Sequence, residues 1–141
     1  MLNTWAGRTA IVTLALAAVA FSTRGTAQGG GTPAQIYSGL ALFDTYCTMC
    51  HGSGGKGDGS FASTLRTPPA DLTAIAKNNG GTFSREDVAR IIDGRNPLKG
   101  HGGKDMPAWG ESFSRTVEGP EAVKEKIQSL VNYIESIQQK S

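Results

Sequence analysis

Apolar side chains recur with the period of an amphipathic helix in three separate segments of the chain. The first segment follows Thr32-Pro33, an N-cap and a first-turn proline, and its apolar stripe comprises Ile36, Leu40, Phe43, Cys47 and Cys50. The second runs from Ser84, which with Asp87 resembles a capping box, to Gly94, and its inward side chains are Val88, Ile91 and Ile92. The third starts at Gly119-Pro120, and its stripe comprises Val123, Ile127, Leu130, Val131, Ile134 and Ile137. With no alternating strand pattern and no internal repeat, the chain is predicted to be all-α with three main helices.

Long irregular segments rich in Gly and Pro separate these helices. The first contains five glycines between residues 52 and 59, but it lacks the G-x-x-x-x-G-K-[ST] spacing of a phosphate-binding loop. It ends at Pro68-Pro69, after which Asp71 is placed to cap a short helix over residues 72–76. A second irregular stretch runs from Asn96-Pro97 to Met106-Pro107. Loops of this length in a small all-α domain are expected when they pack on a cofactor instead of on each other.

The sequence Cys47-Thr48-Met49-Cys50-His51 points to one kind of chemistry. A C-x-x-C-H motif is the attachment signature of a c-type haem, because its two thiols can form thioethers with the vinyl groups of the porphyrin. On a helix, Cys47 stands three residues before Cys50 and four before His51, so the three side chains share one face. One helical turn can therefore hold the porphyrin covalently and place an imidazole under its iron, where histidine is a common ligand.

Three other kinds of site use paired cysteines. A structural zinc site usually needs four Cys or His ligands, whereas the chain has two cysteines and two histidines, and the second histidine, His101, lies far from the motif. A thioredoxin-like redox pair needs a βαβ context, which the apolar pattern does not provide. A disulfide across C-x-x-C would close almost no loop and would therefore stabilise little. The covalent haem is the interpretation that the motif favours.

The N-terminal segment has the pattern of a secretory signal peptide. Arg8 precedes an apolar run over residues 10–21, and the small residues Gly25-Thr26-Ala27 form a cleavage site before Gln28. The alternative, a retained membrane anchor, is disfavoured because the run is well short of the roughly 20 apolar residues that cross a bilayer. Export to the periplasm is therefore expected, where free C-x-x-C thiols would form a disulfide unless a partner such as haem kept them apart.

Domain organisation follows from this cleavage. Residues 1–27 are the predicted signal peptide, residues 28–35 a flexible Gly-rich lead, and residues 36–141 a single domain. Of the 14 Lys and Arg residues, Arg8 and Arg24 lie in the signal peptide, so the mature chain keeps 12 basic and 12 acidic side chains. A chain without net charge is a poor candidate for nucleic-acid binding.

Together these residues resemble the class I c-type cytochromes, the small monohaem electron carriers, over essentially all of the mature chain. Gly39-x-x-x-Phe43-x-x-x-Cys47 matches that family's spacing before the haem motif, and Leu130-Val131-Asn132-Tyr133-Ile134 matches its C-terminal L-x-x-Y-[ILV] helix. The resemblance implies the cytochrome c fold, in which these two helices cross at the glycine and the aromatic side chains pack over the crossing. It also implies that a proline carbonyl, of Pro68 or Pro69, accepts the Nδ1 hydrogen bond of His51.

The resemblance further implies a methionine as the second iron ligand. Met1 belongs to the signal peptide, and Met49 belongs to the turn formed by residues 47–51, here called the attachment turn. Met106 stands in a Met-Pro pair after a Gly-rich loop, like the distal ligand of that family. A thioether ligand raises the reduction potential relative to a second imidazole. Two alternatives stay open: Met106 is a core methionine, or His101 binds the iron in its place.

The sequence leaves two interpretations open for several other side chains. Trp109 is either a core aromatic or packs on the haem and donates its indole N–H to a propionate. Tyr46 is expected to pack as part of the first helix. Four basic side chains are expected to be solvated, although they could meet propionates or a partner surface: Arg66, Arg95, Lys99 and Lys104.

An iron with histidine on one side and methionine on the other has no open position for a substrate, so the resemblance implies a one-electron carrier and not an enzyme. The expected partners are a redox donor and acceptor, such as a respiratory complex or a dehydrogenase. The free mature protein is expected to be a monomer without a transmembrane segment. Two other functions stay open. One is a fixed haem c subunit of a periplasmic dehydrogenase or oxidase, and the other, if Met106 does not bind the iron, is a gas-binding or peroxidatic haem protein.

Overall fold

The computed structural model describes residues 30–96, 105–116 and 119–139. These residues form the helices α1 (Pro33–Tyr46), α2 (Thr48–His51), α3 (Ile75–Asn78), α4 (Arg85–Asp93), α5 (Trp109–Ser114) and α6 (Gly119–Ser136), and two 3-10 turns at Ala62–Thr64 and Leu72–Ala74. No strand occurs among them, so the all-α prediction is confirmed, and α1, α4 and α6 are the three main helices. The predicted signal peptide, Lys99, His101 and Lys104 lie outside the described residues.

α1 begins where the N-cap and the proline predicted, so residues 33–35, which the predicted boundary placed in the flexible lead, are helical. The side chain of Thr32 accepts a hydrogen bond from the backbone N–H of Gln35 (3.4 Å), and the Gln35 side-chain oxygen accepts one from the backbone N–H of Thr32 (2.8 Å). These reciprocal bonds satisfy two backbone donors that lack a partner within the helix. At its other end α1 continues almost directly into α2, because the N–H of His51 donates to the carbonyl of Cys47 at 2.8 Å.

The first and last helices cross at Gly39, as the resemblance implied. Gly39 is buried, and a Cβ there would collide with the carbonyl oxygen of Ser129 and lie 2.8 Å from the Cβ of Tyr133. The missing side chain therefore lets the two backbones approach closely. The rings of Phe43 and Tyr133 pack over the crossing with centroids 5.1 Å apart. The predicted contact between these two helices is confirmed.

α4 packs against α6 and is fixed to it by an arginine at its N-terminal end. Ser84 is the N-cap, as predicted, and accepts a hydrogen bond from the N–H of Asp87. The guanidinium of Arg85 donates to the carboxylate of Glu135 and to the side-chain oxygen of Asn132, both on α6. A charge-assisted pair of this kind orients one helix on another more than a neutral hydrogen bond does.

α5 is a short helix that the sequence pattern did not predict. It spans six residues, and its apolar anchor is Phe113, which is buried against α6. One buried aromatic in six residues gives no helical period, so the pattern of apolar positions contains no signal for it.

The core lies where α1, α4, α5 and α6 meet. Its buried side chains are Phe43, Val88, Ile92, Phe113, Val123, Ile127, Leu130, Val131, Tyr133 and Ile134. Because most of them belong to α6, this helix is the central element, and its predicted stripe is confirmed except that Ile137 is only partly buried. Among the described residues, no helix combines the length and the apolarity that crossing a bilayer requires.

Candidate functional site

A cavity of about 550 Å³ is lined by the attachment turn, α4, α6 and the segment before α5. This volume lies in the range of about 300–1,000 Å³ typical of ligand and cofactor sites. Much of the wall is apolar and includes Leu65, Leu72, Ile75, Val88, Ile91, Ile92, Leu130 and Ile134. The same cavity is lined by all the side chains predicted for the site, namely Cys47, Cys50, His51, Met106 and Trp109. The fold therefore brings together residues that lie far apart in the sequence.

The two cysteines are free thiols at the junction of α1 and α2. Burial, and to a lesser degree the proximity of Cys50, raises the pKa of Cys47 to about 12. A thiol with such a pKa is protonated at neutral pH, whereas redox-active C-x-x-C pairs have a lowered pKa. The surroundings of Cys47 thus argue against the thioredoxin-like alternative. Within the described ranges, no three His, Cys, Asp or Glu side chains are placed to hold a metal ion.

His51 is partly buried in the cavity wall, and its Nδ1 lies 3.2 Å from the carbonyl oxygen of Ala70. Burial lowers the pKa of His51, although this hydrogen bond opposes the effect, so the neutral imidazole is favoured. Because a carbonyl only accepts, Nδ1 carries the proton and Nε2 keeps its lone pair. His51 is therefore prepared to bind a metal through Nε2. The acceptor is the carbonyl of Ala70, so the expectation that Pro68 or Pro69 provides it is wrong.

The loop over residues 52–59, here called the glycine loop, explains why the acceptor is Ala70 and not a proline. Gly57 has a φ of +80°, and a Cβ there would collide with the carbonyl oxygen of Pro69. The N–H of Gly57 also donates to the carbonyl of His51 at 2.9 Å. Gly57 therefore fits between the attachment turn and the segment that follows Pro69. The carbonyl of Pro69 lies against Gly57, and the next carbonyl, that of Ala70, accepts the hydrogen bond from His51.

Met106 and Met49 have opposite surroundings. The side chain of Met106 is partly buried, packs against the core and lines the cavity. Met49 is 58% exposed, although it lies between the two cysteines in the sequence. The structure therefore places the predicted methionine in the cavity and the other outside it. The rival ligand, His101, lies outside the described residues.

Trp109 lines the cavity and also belongs to an aromatic cluster. Its ring centroid lies 5.4 Å from that of Tyr46 and 5.7 Å from that of Phe113, with the second pair stacked. Tyr46 and Phe113 meet edge to face at 5.4 Å. This cluster fixes the start of α5 against the end of α1, and it thereby orients the segment that carries Met106. Tyr46 packs as expected, and Phe113 is the member that the sequence reasoning missed.

Of the four basic side chains considered for the site, the two that the structure describes form ion pairs. Arg66 pairs with Asp105 at 3.7 Å, and Arg95 pairs with Asp93 at 2.7 Å. Asp105 lines the cavity beside Met106, so the first pair connects that segment to the loop before Pro68. Exposed pairs of this kind contribute little to stability.

The cavity wall also contains polar side chains that the sequence reasoning did not assign to the site, and four of these are Asn78, Asn79, Ser84 and Asp87. They lie at the end of α3 and the start of α4. Their sequence signals are those of a turn and a helix cap, and Ser84 does cap α4. A second role at the cavity leaves no separate mark in the sequence.

The residues present fit a c-type haem. The apolar wall suits a large, flat, apolar macrocycle, and the two free thiols provide the groups that form thioethers. A neutral histidine with an available Nε2 and a methionine thioether are iron ligands found together in cytochromes c. The cavity thus brings together two cysteines, a histidine and a methionine that such a cofactor could use.

Comparison with known proteins agrees with this geometry. The family model described as Cytochrome c matches residues 36–138, which is most of the chain and includes the whole cavity wall. No curated protein and no solved structure gave a significant match. The assignment to a family rests on this model, because its match covers the attachment turn, the crossing helices and the Met106 segment together. The chain therefore belongs to the cytochrome c family.

Proposed function

We propose that this protein is a periplasmic one-electron carrier that holds a single haem c covalently through Cys47 and Cys50. The observation that supports this most strongly is the convergence on one apolar cavity of two free thiols, a histidine with an available Nε2 and a methionine. Membership of the cytochrome c family supports the coarser statement that the chain is a haem c electron-transfer protein.

Each residue of the site has a defined task in this proposal. Cys47 and Cys50 anchor the cofactor, so that it cannot dissociate. His51 binds the iron through Nε2, and the hydrogen bond to Ala70 fixes the orientation of the ring. Met106, which lines the same cavity, would supply the second iron ligand, so that no position would stay open for oxygen, peroxide or a substrate. The bound haem supplies an iron that gains and loses one electron.

The cavity wall sets the conditions for this exchange. Its apolar side chains exclude water and thereby favour the less charged, ferrous state of the iron. Trp109 would pack beside the cofactor, because it lines the cavity and its ring is held by contacts with those of Tyr46 and Phe113. The attachment turn reaches the surface, because Met49 is 58% exposed. A partner can therefore approach the point of attachment through a small, weak interface of the kind usual for redox encounters.

The signal-peptide pattern supports the proposed location, and membership of the cytochrome c family supports the proposed kind of partner. The signal peptide predicted over residues 1–27 directs the chain to the periplasm. The donor and acceptor are redox proteins, such as a membrane respiratory complex or a dehydrogenase. The same domain could also be a fixed haem c subunit of such an enzyme. Purification at high salt separates the two cases, since a carrier dissociates from its partner and a subunit remains bound.

Optical spectroscopy with and without carbon monoxide tests the proposed function. We expect the ferrous protein, matured in a periplasm, to show a six-coordinate low-spin haem spectrum that carbon monoxide does not change on mixing. The reason is that His51 and Met106 would both bind the iron and would leave no position open to carbon monoxide. A rapid spectral change would reveal an open position and would replace the carrier with a gas-binding or peroxidatic protein. A protein that matures without any haem absorption would reject the haem itself.

A further inference from the structure

A polar network lies next to the segment that carries Ala70, and its centre is Thr73, which is only 6% exposed. The hydroxyl of Thr73 donates to Asp71 Oδ1 at 2.6 Å and accepts from Lys56 Nζ at 2.9 Å and from Gln139 Nε2 at 3.0 Å. A hydroxyl has one donor and two acceptor sites, so this one uses all of them. We call these four residues, Lys56, Asp71, Thr73 and Gln139, the Thr73 network.

Three separate parts of the chain meet in the Thr73 network. Lys56 comes from the glycine loop, Asp71 and Thr73 from the segment after Ala70, and Gln139 from the tail after α6. Backbone hydrogen bonds reinforce the meeting point, because the N–H of Gln139 donates to the carbonyl of Thr73 at 2.8 Å. The segment is thus fixed to two neighbours that are distant from it in the sequence.

Further bonds hold the residues around Thr73 in the same way. The Gln138 side chain donates to the carbonyl of Leu72 at 2.7 Å and accepts from the N–H of Ala76 at 2.9 Å. The N–H of Leu72 donates to the carbonyl of Gly55 at 2.7 Å. Residues 72–76 are therefore held by hydrogen bonds to the residues after α6 on one side and to the glycine loop on the other.

A single peptide unit connects the Thr73 network to the carbonyl that accepts the hydrogen bond of His51. The Ala70 carbonyl that accepts from His51 belongs to the peptide that joins Ala70 to Asp71. The Asp71 carboxylate is fixed by the hydroxyl of Thr73 and by its N–H, the latter at 2.9 Å. The hydroxyl bond is also the main reason that the pKa of Asp71 lies below its ordinary value, and it keeps this acceptor ionised. The orientation of the Ala70 carbonyl is thus tied to Thr73.

We propose that Thr73 is a positioning residue for His51, and that it acts through Asp71 to hold the Ala70 carbonyl at the histidine Nδ1. This inference rests on the proposed function, in which His51 binds the iron. A hydrogen bond at Nδ1 raises the basicity of the imidazole, and a more basic ligand favours ferric iron. Thr73 does not line the cavity, whereas Asp71 does, so the hydroxyl of Thr73 reaches the site through Asp71.

The test compares three holoprotein variants. Thr73→Val removes the hydroxyl and keeps the side-chain shape, Thr73→Ser restores the hydroxyl, and Thr45→Val removes an exposed hydroxyl that bonds only within α1, to the carbonyl of Ala41. Two quantities are measured: the exchange rate of the His51 Nδ1 proton by NMR of the ferrous protein, and the reduction potential. We expect Thr73→Val to accelerate the exchange about tenfold, the factor that corresponds to roughly one lost hydrogen bond, and to raise the potential. Thr73→Ser should return both quantities toward those of the wild type, and Thr45→Val should change neither.

A wild-type exchange rate and potential in Thr73→Val would overturn the inference, as would the same changes in Thr45→Val. If Thr73→Val does not accumulate, Asp71→Ala carries the test through the exchange rate alone, because Asp71 lines the cavity and the loss of its charge changes the potential directly. Its side chain is 36% exposed, so the substitution leaves the core intact. An unchanged exchange rate in Asp71→Ala then overturns the inference. A normal haem spectrum with unchanged values rejects the role of Thr73 alone, whereas a wild type that binds no haem rejects the proposed function as well.

Discussion

Replacing Met106 by alanine is expected to lower the reduction potential and to let carbon monoxide bind the iron, while the haem stays covalently attached. A thioether favours ferrous iron, so its loss should lower the potential by on the order of 100 mV, within the roughly 0.8 V range that axial ligands span. The vacated position then accepts carbon monoxide. Redox titration and a carbon monoxide difference spectrum measure the two effects.

Three further variants make this result specific. Met49→Ala removes a methionine that is exposed and lies outside the cavity, so it should leave both properties unchanged. His101→Ala should also change neither property much. Met106→His should lower the potential without admitting carbon monoxide, because a second imidazole closes the site. If His101→Ala and Met106→Ala behave the other way round, the iron is bound by two histidines and the assignment of Met106 is wrong.

Substitution of Gly39 is expected to destabilise the fold more than any exposed substitution in α1. A Cβ at this position would collide with the carbonyl oxygen of Ser129, which is backbone and cannot move aside alone. Alanine is ordinarily a better helix former than glycine by about 1 kcal/mol, yet Gly39→Ala should destabilise the protein. Gly39→Val should cost several kcal/mol, at or above the ~1–3 kcal/mol of an overpacked core site. Denaturant unfolding of the holoprotein measures both values.

Ala41→Val is the matched control for this pair. It introduces the same β-branched side chain at an exposed position of α1, two residues away. Its cost should therefore be limited to helix propensity, a few tenths of a kcal/mol and below about 0.7 kcal/mol. A Gly39→Ala protein that is more stable than the wild type would show that α1 and α6 do not cross at this residue.

The helix starts could be predicted from the sequence because their causes are local. Thr32, Asp71 and Ser84 each cap a helical segment through a hydrogen bond that spans two or three residues, and each does so where the sequence indicated. The attachment turn is local in the same sense, since one helical turn places Cys47, Cys50 and His51. A helix cap or a C-x-x-C-H turn can therefore be predicted from a few neighbouring residues alone.

The features that the sequence did not predict depend on contacts between distant segments. The acceptor for His51 is Ala70 because Gly57, in a different loop, lies against the carbonyl of Pro69. α5 forms around Phe113, which packs on Tyr46 and Trp109 and has no periodic partners of its own. No local pattern encodes such contacts.

The same holds for the C-terminal tail. Gln138 and Gln139 follow Ile137, the last apolar residue in the stripe of the third predicted helix. In the structure their side chains bond to Leu72, Thr73 and Ala76, far away in the sequence. Polar residues at a chain end give no sequence signal for such a role, because Gln has no preferred partner or spacing.

The most direct test of the central claim, a single haem bound covalently through Cys47 and Cys50, is the mass of the denatured mature protein. We expect this mass to exceed that of the polypeptide by one haem, and the excess to remain after extraction with acidified organic solvent. A denatured chain with the mass of the polypeptide alone, its haem recovered in the solvent, would contradict the account.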